Sequence, residues 1–502
     1  MVRHGTIPLV ARREDIDMPH PHSDTARRDA QRRPVRLLLG GCLVAALVAS
    51  ACTDSGGSSG SGGSGGSSGS DTASSASGVS DGGTEPSPQP TAPDSDRVDL
   101  DEPTFSDPTS IDNPLFPTSE LESAILLGND EGHPLRIETV LLPENKVIDV
   151  DGQEIETRAL QFVAFLDGRI HEVALDWYAQ DDDGNVWYFG EDVFNYEDGA
   201  VADTDGTWIA GEDGPPGMIM PADPQVGEAF RPENIPDFVF EEVVVKSVDV
   251  TVDGPRGPVE GAIVGTENHL IEGHYEDKTF APGYGEFRSG VGGNLEALAL
   301  GVPTDAQGGG VPAELDTIAR GAAAVFAAAG DDDWNTAAAT LAAMNDAWSA
   351  HRANVEVPPL LAVQMDEALD ALAGDPLQMA VEAHNPEGAR NAALDVAMAT
   401  FDLQLQYRPP IDVDLARFRV WADQLMVDSA SDEADAGNIA GDVTSLEWVW
   451  DRIGHAVDTA AARDIEAQLD DLRAAADDED VAAAADAAPR LVESASNLAV
   501  AR

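Results

Sequence analysis

The chain has 502 residues, a formal net charge of −63 at pH 7 and two cysteines. That length is enough for two or more domains, and a charge so negative excludes partners recognised through Lys/Arg patches, such as nucleic acid and anionic headgroups. Cys42 and Cys52 both lie in or at the end of one N-terminal apolar segment. The folded part is therefore expected to lack disulfides, thiolate metal sites, covalent haem and a cysteine nucleophile.

The acids are not spread evenly. Residues 1–51 carry more Arg than Asp and Glu, so the surplus falls on everything after them. Such a surface keeps a protein soluble where salt screens charge, and it fits either salt adaptation or a cation-collecting surface.

Residues 1–31 are polar, with no pattern of a fold. RRPVR is a basic n-region, LLLGGCLVAALVASA a short apolar h-region, and small residues stand directly before Cys52. The apolar run is marginal for spanning a bilayer, which takes about 20 residues. Residues 1–51 thus read as a signal peptide with an N-terminal extension. Its end resembles a bacterial lipobox, which implies cleavage before Cys52 and attachment of diacylglycerol to its sulfur. Ala49 departs from the Leu usual at that position. Residues 52–106 are a Gly/Ser run followed by EPSPQPTAPDSD. This is a flexible tether of reach on the order of 40 Å. The expected location is the extracytoplasmic face of the cell membrane, held by the lipid anchor.

Residues 107–290 read as an antiparallel β domain. Strands are expected at 135–142, 158–166, 170–179, 185–189, 207–210, 239–252, 259–267 and 274–280, separated by DGR, DDDGN, EDG, DGPRG and APGYG turns. No helical period lies between them, so the fold class is a β meander, barrel- or sandwich-like, followed by an α-helical bundle. Residues 291–312, rich in Gly and Pro, read as a linker. From 313 to 502 alanine becomes abundant and the period shifts to 3.6. Trp334, Leu341 and Trp348 recur seven apart with Ala338 and Asn345 beside them, and about seven to nine helices are expected.

DWYAQDDDGNVWYFGED, GTW, PGMIMPADPQVGEAFRPE and HYEDKTFAPGYGEF follow one another between 176 and 287. Over 111–288 this series resembles a family of uncharacterised exported proteins from actinobacteria. The resemblance implies an exported lipoprotein and carries no activity, cofactor or catalytic residue. A looser likeness, in architecture, is to curled-sheet lipoprotein carriers that hold an acyl chain.

Candidate sites are few. Trp177, Tyr178, Trp187, Tyr188 and Trp208 offer an aromatic ligand surface. Asp181, Asp183 and Asn185 have the spacing that opens a calcium loop, but DDGN is also an ordinary hairpin turn. His269 and His274 stand near Glu267, Glu272 and Glu276. Residues five apart face opposite sides of a strand, so a shared metal site needs a bend. In the bundle, His351, His384 and His455 accompany Met344, Met365, Met379, Met398 and Met426, a set read either as core or as soft ligands. Asp176 with Glu191 or Asp192 is a formal hydrolase pair against a background full of acids. No GxSxG, Walker, Rossmann or zinc-protease motif occurs. The reading is a non-catalytic binding or scaffold lipoprotein without a cofactor, whose partner is a protein or a small molecule. The alternatives are a carbohydrate- or lipid-active hydrolase and a metal-handling lipoprotein.

Overall fold

The computed structural model describes residues 90–290, 294–374, 386–431 and 433–501. Cys52, the signal peptide and residues 52–89 of the tether lie outside them, as do His384 and Met379. The architecture is one antiparallel sheet followed by a helical layer.

The sheet opens with two-residue hairpins. β1 (Ser123–Asp130), β2 (His133–Val150), β3 (Gln153–Leu166) and β4 (Arg169–Gln180) are joined through Glu131-Gly132, Asp151-Gly152 and Asp167-Gly168. Both residues of each loop have positive φ, from 49° to 89°. That is the type I′ geometry whose twist matches the strands, and an acid followed by Gly tolerates it. β5 (Val186–Glu197) and β6 (Ala200–Asp203) repeat the device at Asp198-Gly199.

Short strands β7 (Trp208–Ile209), β8 (Gly217–Met220), β9 (Ala229–Phe230) and β10 (Asn234–Ile235) follow. Then come β11 (Val239–Gly254), β12 (Gly257–His269), β13 (His274–Ala281), β14 (Gly285–Ser289) and β15 (Leu295–Val302). The order across the sheet is β10-β11-β12-β13-β14-β15-β1-β2-β3-β4-β5-β6. The first and last strands of the domain therefore meet in its middle, where β15 pairs β1. The hydrogen-bonded path does not close. β8 hangs from β5 and β9 from β11, and these appendages approach so nearly that a Cβ on Gly217 would lie 1.8 Å from the Pro232 carbonyl oxygen.

Residues 291–312 are thus not merely a linker. LEALALGV forms the strand that joins the two halves of the sheet. Its alternation is short and bracketed by glycines, which is why composition alone reads it as a connection.

Eight α-helices follow among the described residues: α1 (Ala313–Gly330), α2 (Trp334–Asn354), α3 (Pro359–Ala373), α4 (Pro386–Gln404), α5 (Pro410–Ala430), α6 (Ala436–Ile453), α7 (Thr459–Asp477) and α8 (Val481–Ser496). Their starts are written locally. Asp333, Asp435, Asp458 and Asp480 each accept a backbone N–H of the first turn, and Pro359, Pro386 and Pro410 stand at first helical positions, where no N–H is missed. The buried stripe of α2 is Ala337, Leu341, Met344, Trp348 and His351; Ala338 and Asn345 are exposed, against expectation. Met344 fits because Gly321 on α1 leaves it room.

The helices pack on the sheet. α6 is buried on nearly every side, as expected of a helix held between layers. Its Gly437 and Gly441 meet the β5–β6 hairpin so closely that a Cβ on Gly199 would fall 2.2 Å from the Gly437 oxygen. Phe165 of β3 stacks on Trp421 of α5 at 5.4 Å. Polar side chains cross the same boundary. Arg136 and Glu138 of β2 meet Asp402 of α4, Asp414 and Arg417 of α5 and Arg452 of α6. Burial alone would push the Glu138 carboxyl up, but Arg417, Arg136 and Arg452 hold it well below the usual range. Three guanidiniums thus face three carboxylates in the seam.

Candidate ligand-binding cavity

The other face of the sheet curls inward. Strand alternation sends Leu160 and Phe162 of β3 to this inner face, while Gln161 and Phe165 turn to the helices. A cavity of about 80 Å³ lies there. Its wall draws on β1–β4, β8 and β13–β15, so it needs the curl of the whole sheet.

The wall is mainly aromatic and aliphatic. Phe116 meets Tyr178 edge-on at 5.0 Å and lies 6.5 Å from Phe280. Tyr178 stacks on Tyr188 at 4.8 Å. Tyr284 is fixed by donating its hydroxyl to Asp305 at 2.8 Å, and Asp305 also accepts the Gly301 N–H at 2.9 Å. Leu121, Leu126, Leu160 and Ile219 complete the apolar wall.

Two carboxyls interrupt it. Glu286 stands on β14 opposite Phe280, and Glu296 on β15 opposite Ser289. Burial pushes Glu286 up to about 8; Lys278 pulls it back, and Glu267, Glu276 and Glu241 push it further. Burial likewise holds Glu296 well above the usual carboxyl range, with Glu286 and Glu276 adding to it. Burial thus favours the neutral acid at both. Glu286 Oε1 is buried without a hydrogen-bond partner among the described residues.

An ion cluster lies behind them. Lys278 is fully buried and contacts Glu267, with Glu276 at 3.6 Å. His269 Nδ1 lies 2.6 Å from Glu241, and its Nε2 lies 3.6 Å from both Glu267 and Glu276. Burial would lower the imidazole, but Glu241 first, then Glu276 and Glu267, hold it well above its ordinary value. Burial acts the other way on Glu276, yet His269 and Lys278 bring it down to about 2. Burial pushes Glu267 up to about 7 against the pull of Lys278.

Among the described residues, Glu241, Glu267 and His269 form the one group whose ligand atoms, within 4.8 Å of one another, could hold a metal ion. The donor set fits a metal poorly. The Lys278 ammonium already sits against the Glu267 oxygen, and the carboxylates around His269 favour its protonated form; a metal would have to displace both charges. The cluster is an internally neutralised salt-bridge network.

Further round the inner face the acids continue. Asp176 of β4 stands opposite Glu191 of β5, and both are fully buried. Tyr188 donates to Asp176 at 2.9 Å and Trp208 Nε1 to Glu233 at 3.1 Å, and burial, then Glu241 and Glu191, hold Glu233 well above the usual carboxyl range. Burial, then Asp176, pushes Glu172 up to about 8.

The sequence-derived candidates fare unevenly. Trp177, Tyr178, Trp187, Tyr188 and Trp208 are at most 4% exposed, so they form no open ligand surface. All five rings belong to one hydrophobic core, and only Tyr178 reaches the cavity. Asp181 closes its own turn: it accepts from the N–H groups of Asp183 and Asn185, from Asn185 Nδ2 and from Trp187 Nε1. That saturation answers to a capped turn and not to a calcium loop. His269 and His274 are partners across the β12–β13 hairpin and stack at 4.3 Å, so their spacing spans a turn instead of one strand. His351 stacks on Trp348, and Met344 and Met365 are core. Asp192 faces away from Asp176, with Lys146 at 3.9 Å.

Glu286, Glu296 and Lys278 were missed. A signal existed: one of three lysines lies in HYEDKTF, and a lone Glu interrupts NLEALALGV. No protein-family model matches the chain, and no curated protein matches it either.

Proposed function

We propose that this chain is a non-catalytic binding protein whose curled sheet holds a small ligand, displayed at the cell surface on a lipid anchor at Cys52. The observation that carries the reading is the cavity itself. A largely apolar wall with a few convergent polar groups is the usual make-up of a small-molecule site, and here Glu286 and Glu296 are those groups. The anchor rests on the lipobox-like ASAC and on the tether after it. Among the described residues no helix is long and apolar enough to cross a membrane, so an anchor would have to come from elsewhere in the chain.

The hydrolase alternative loses support. Asp176 and Glu191 are fully buried, and Trp177, Trp187 and Trp208 are buried with them. Leu126→Trp, which fills the cavity, tests the binding reading. Solvent extracts of the native protein should contain a small organic molecule that extracts of the variant lack. Identical extracts would contradict it. For the anchor, the mature N-terminal peptide should carry a diacylglyceryl mass on Cys52, and an unmodified Cys52 would remove that part of the proposal.

A further inference from the structure

The ligand's chemistry is legible in the same cavity, and this inference rests on the binding reading above. We propose that the cavity takes an organic ammonium group on a small apolar body, held by Glu286 and Glu296 beneath the aromatic wall. Both carboxyls enter one apolar space from adjacent strands. Glu286 Oε1 is buried without a hydrogen-bond partner among the described residues, so an acceptor stands ready there. An ammonium brings three donors and a full charge to such a pair. Phe116, Tyr178 and Phe280 offer ring faces of the kind that attract a cation.

Charge argues against the other headgroups. No Lys or Arg lines the cavity. Lys278, the nearest cation behind it, is engaged by Glu267 and Glu276. Glu296 also feels Glu172 across the sheet. A carboxylate or phosphate would find no Lys or Arg in the wall to pair with. A neutral hydroxyl would bring one donor to the two carboxyls where an ammonium brings three.

Binding moves a proton. In the empty cavity burial keeps Glu286 as the neutral acid. When R-NH3+ enters, the favoured state is the carboxylate paired with the ammonium. The Glu286 proton leaves to solvent, and charge is conserved.

The test uses the full chain and one short alkyl chain with three headgroups: n-butylamine, n-butanol and butyrate. Calorimetry at pH 7 in phosphate and in MOPS reads affinity and protons released. Added salt of about 0.5 M screens loose binding of amine to the acidic surface. The amine should bind about tenfold more tightly than the alcohol, butyrate should not bind, and up to one proton should be released per amine. Glu286→Gln keeps the neutral form that burial already favours; it should lose about tenfold for the amine, little for the alcohol, and the proton release. Should that variant fail to fold, the ratio of amine to alcohol affinity in the unaltered chain still decides.

Equal binding of alcohol and amine would overturn the ammonium assignment and leave the cavity reading standing. If none of the three binds and Phe162→Trp, which fills the cavity, does not change the chain's thermal stability, the cavity reading falls as well.

Discussion

Trp448 of α6 donates its indole N–H to the Tyr196 hydroxyl of β5 at 2.9 Å, across 252 residues of sequence. The bond crosses the seam between sheet and helices. Phe194 flanks it, 5.4 Å from the Trp448 ring. With Phe165 on Trp421 and the Arg136, Arg417 and Arg452 network, it joins the two layers into a shared core.

Trp448→Ala should therefore destabilise both layers together. Removing a buried Trp costs about 3–5 kcal/mol, while Trp448→Phe, which loses mainly the hydrogen bond, costs about 1 kcal/mol. Urea unfolding followed by far-ultraviolet dichroism and by Trp fluorescence should give coincident shifted transitions. Separate transitions, with the sheet unmoved, would contradict the shared core.

Arg417→Met strips one charge from the seam and leaves Asp402, Asp414 and Glu138 short of a buried partner. Breaking such a network from one side costs about 3–5 kcal/mol. The midpoint of urea unfolding measures it. A change near zero would mean that water reaches the seam.

Stability should fall as pH rises through the neutral range. Glu172 and Glu286 are pushed up to about 8 and Glu267 to about 7, against an ordinary value of 4.5. Their folded values lie above the unfolded one. The folded chain then keeps protons that the unfolded chain gives up, so this stability is complete below pH 4.5 and drains away up to the folded values. Each group removes about 1.4 kcal/mol per pH unit within its window. Glu276, down at about 2, acts oppositely: its contribution is present above pH 4.5 and lost as pH falls toward 2. Urea midpoints should decline from pH 5 to pH 8, and Glu172→Gln should flatten the decline. A midpoint that rises over that range would count against the buried neutral acids.

Asp181→Ala should destabilise by about 1–3 kcal/mol, because the buried Trp187 Nε1 loses its acceptor. Calcium should leave the melting temperature of the unaltered chain unchanged beyond a magnesium control. A calcium-specific rise that disappears in Asp181→Ala would restore the loop reading.

Local chemistry made much of the fold readable. Acid-Gly pairs at Asp151-Gly152, Asp167-Gly168 and Asp198-Gly199 announce hairpins, and Asp or Pro announces most helix starts. What stayed hidden depends on curvature. In HYEDKTF alternation puts Glu276, Lys278 and Phe280 on one face, yet a face with two charges ordinarily means solvent. Here the sheet curls and that face becomes interior. The Trp and Tyr run misled for the related reason that aromatic richness marks a core as readily as a surface. β15 was hidden because its position depends on pairing with β1, 172 residues earlier at Leu126 and Leu298.

Native mass spectrometry of the full chain, isolated gently from its own membrane, tests the central claim most directly. The account predicts a stoichiometric small organic mass that rides with the unaltered protein and is lost from Leu126→Trp. A clean apo mass under conditions that preserve the fold, or a mass retained equally by the filled variant, would contradict it.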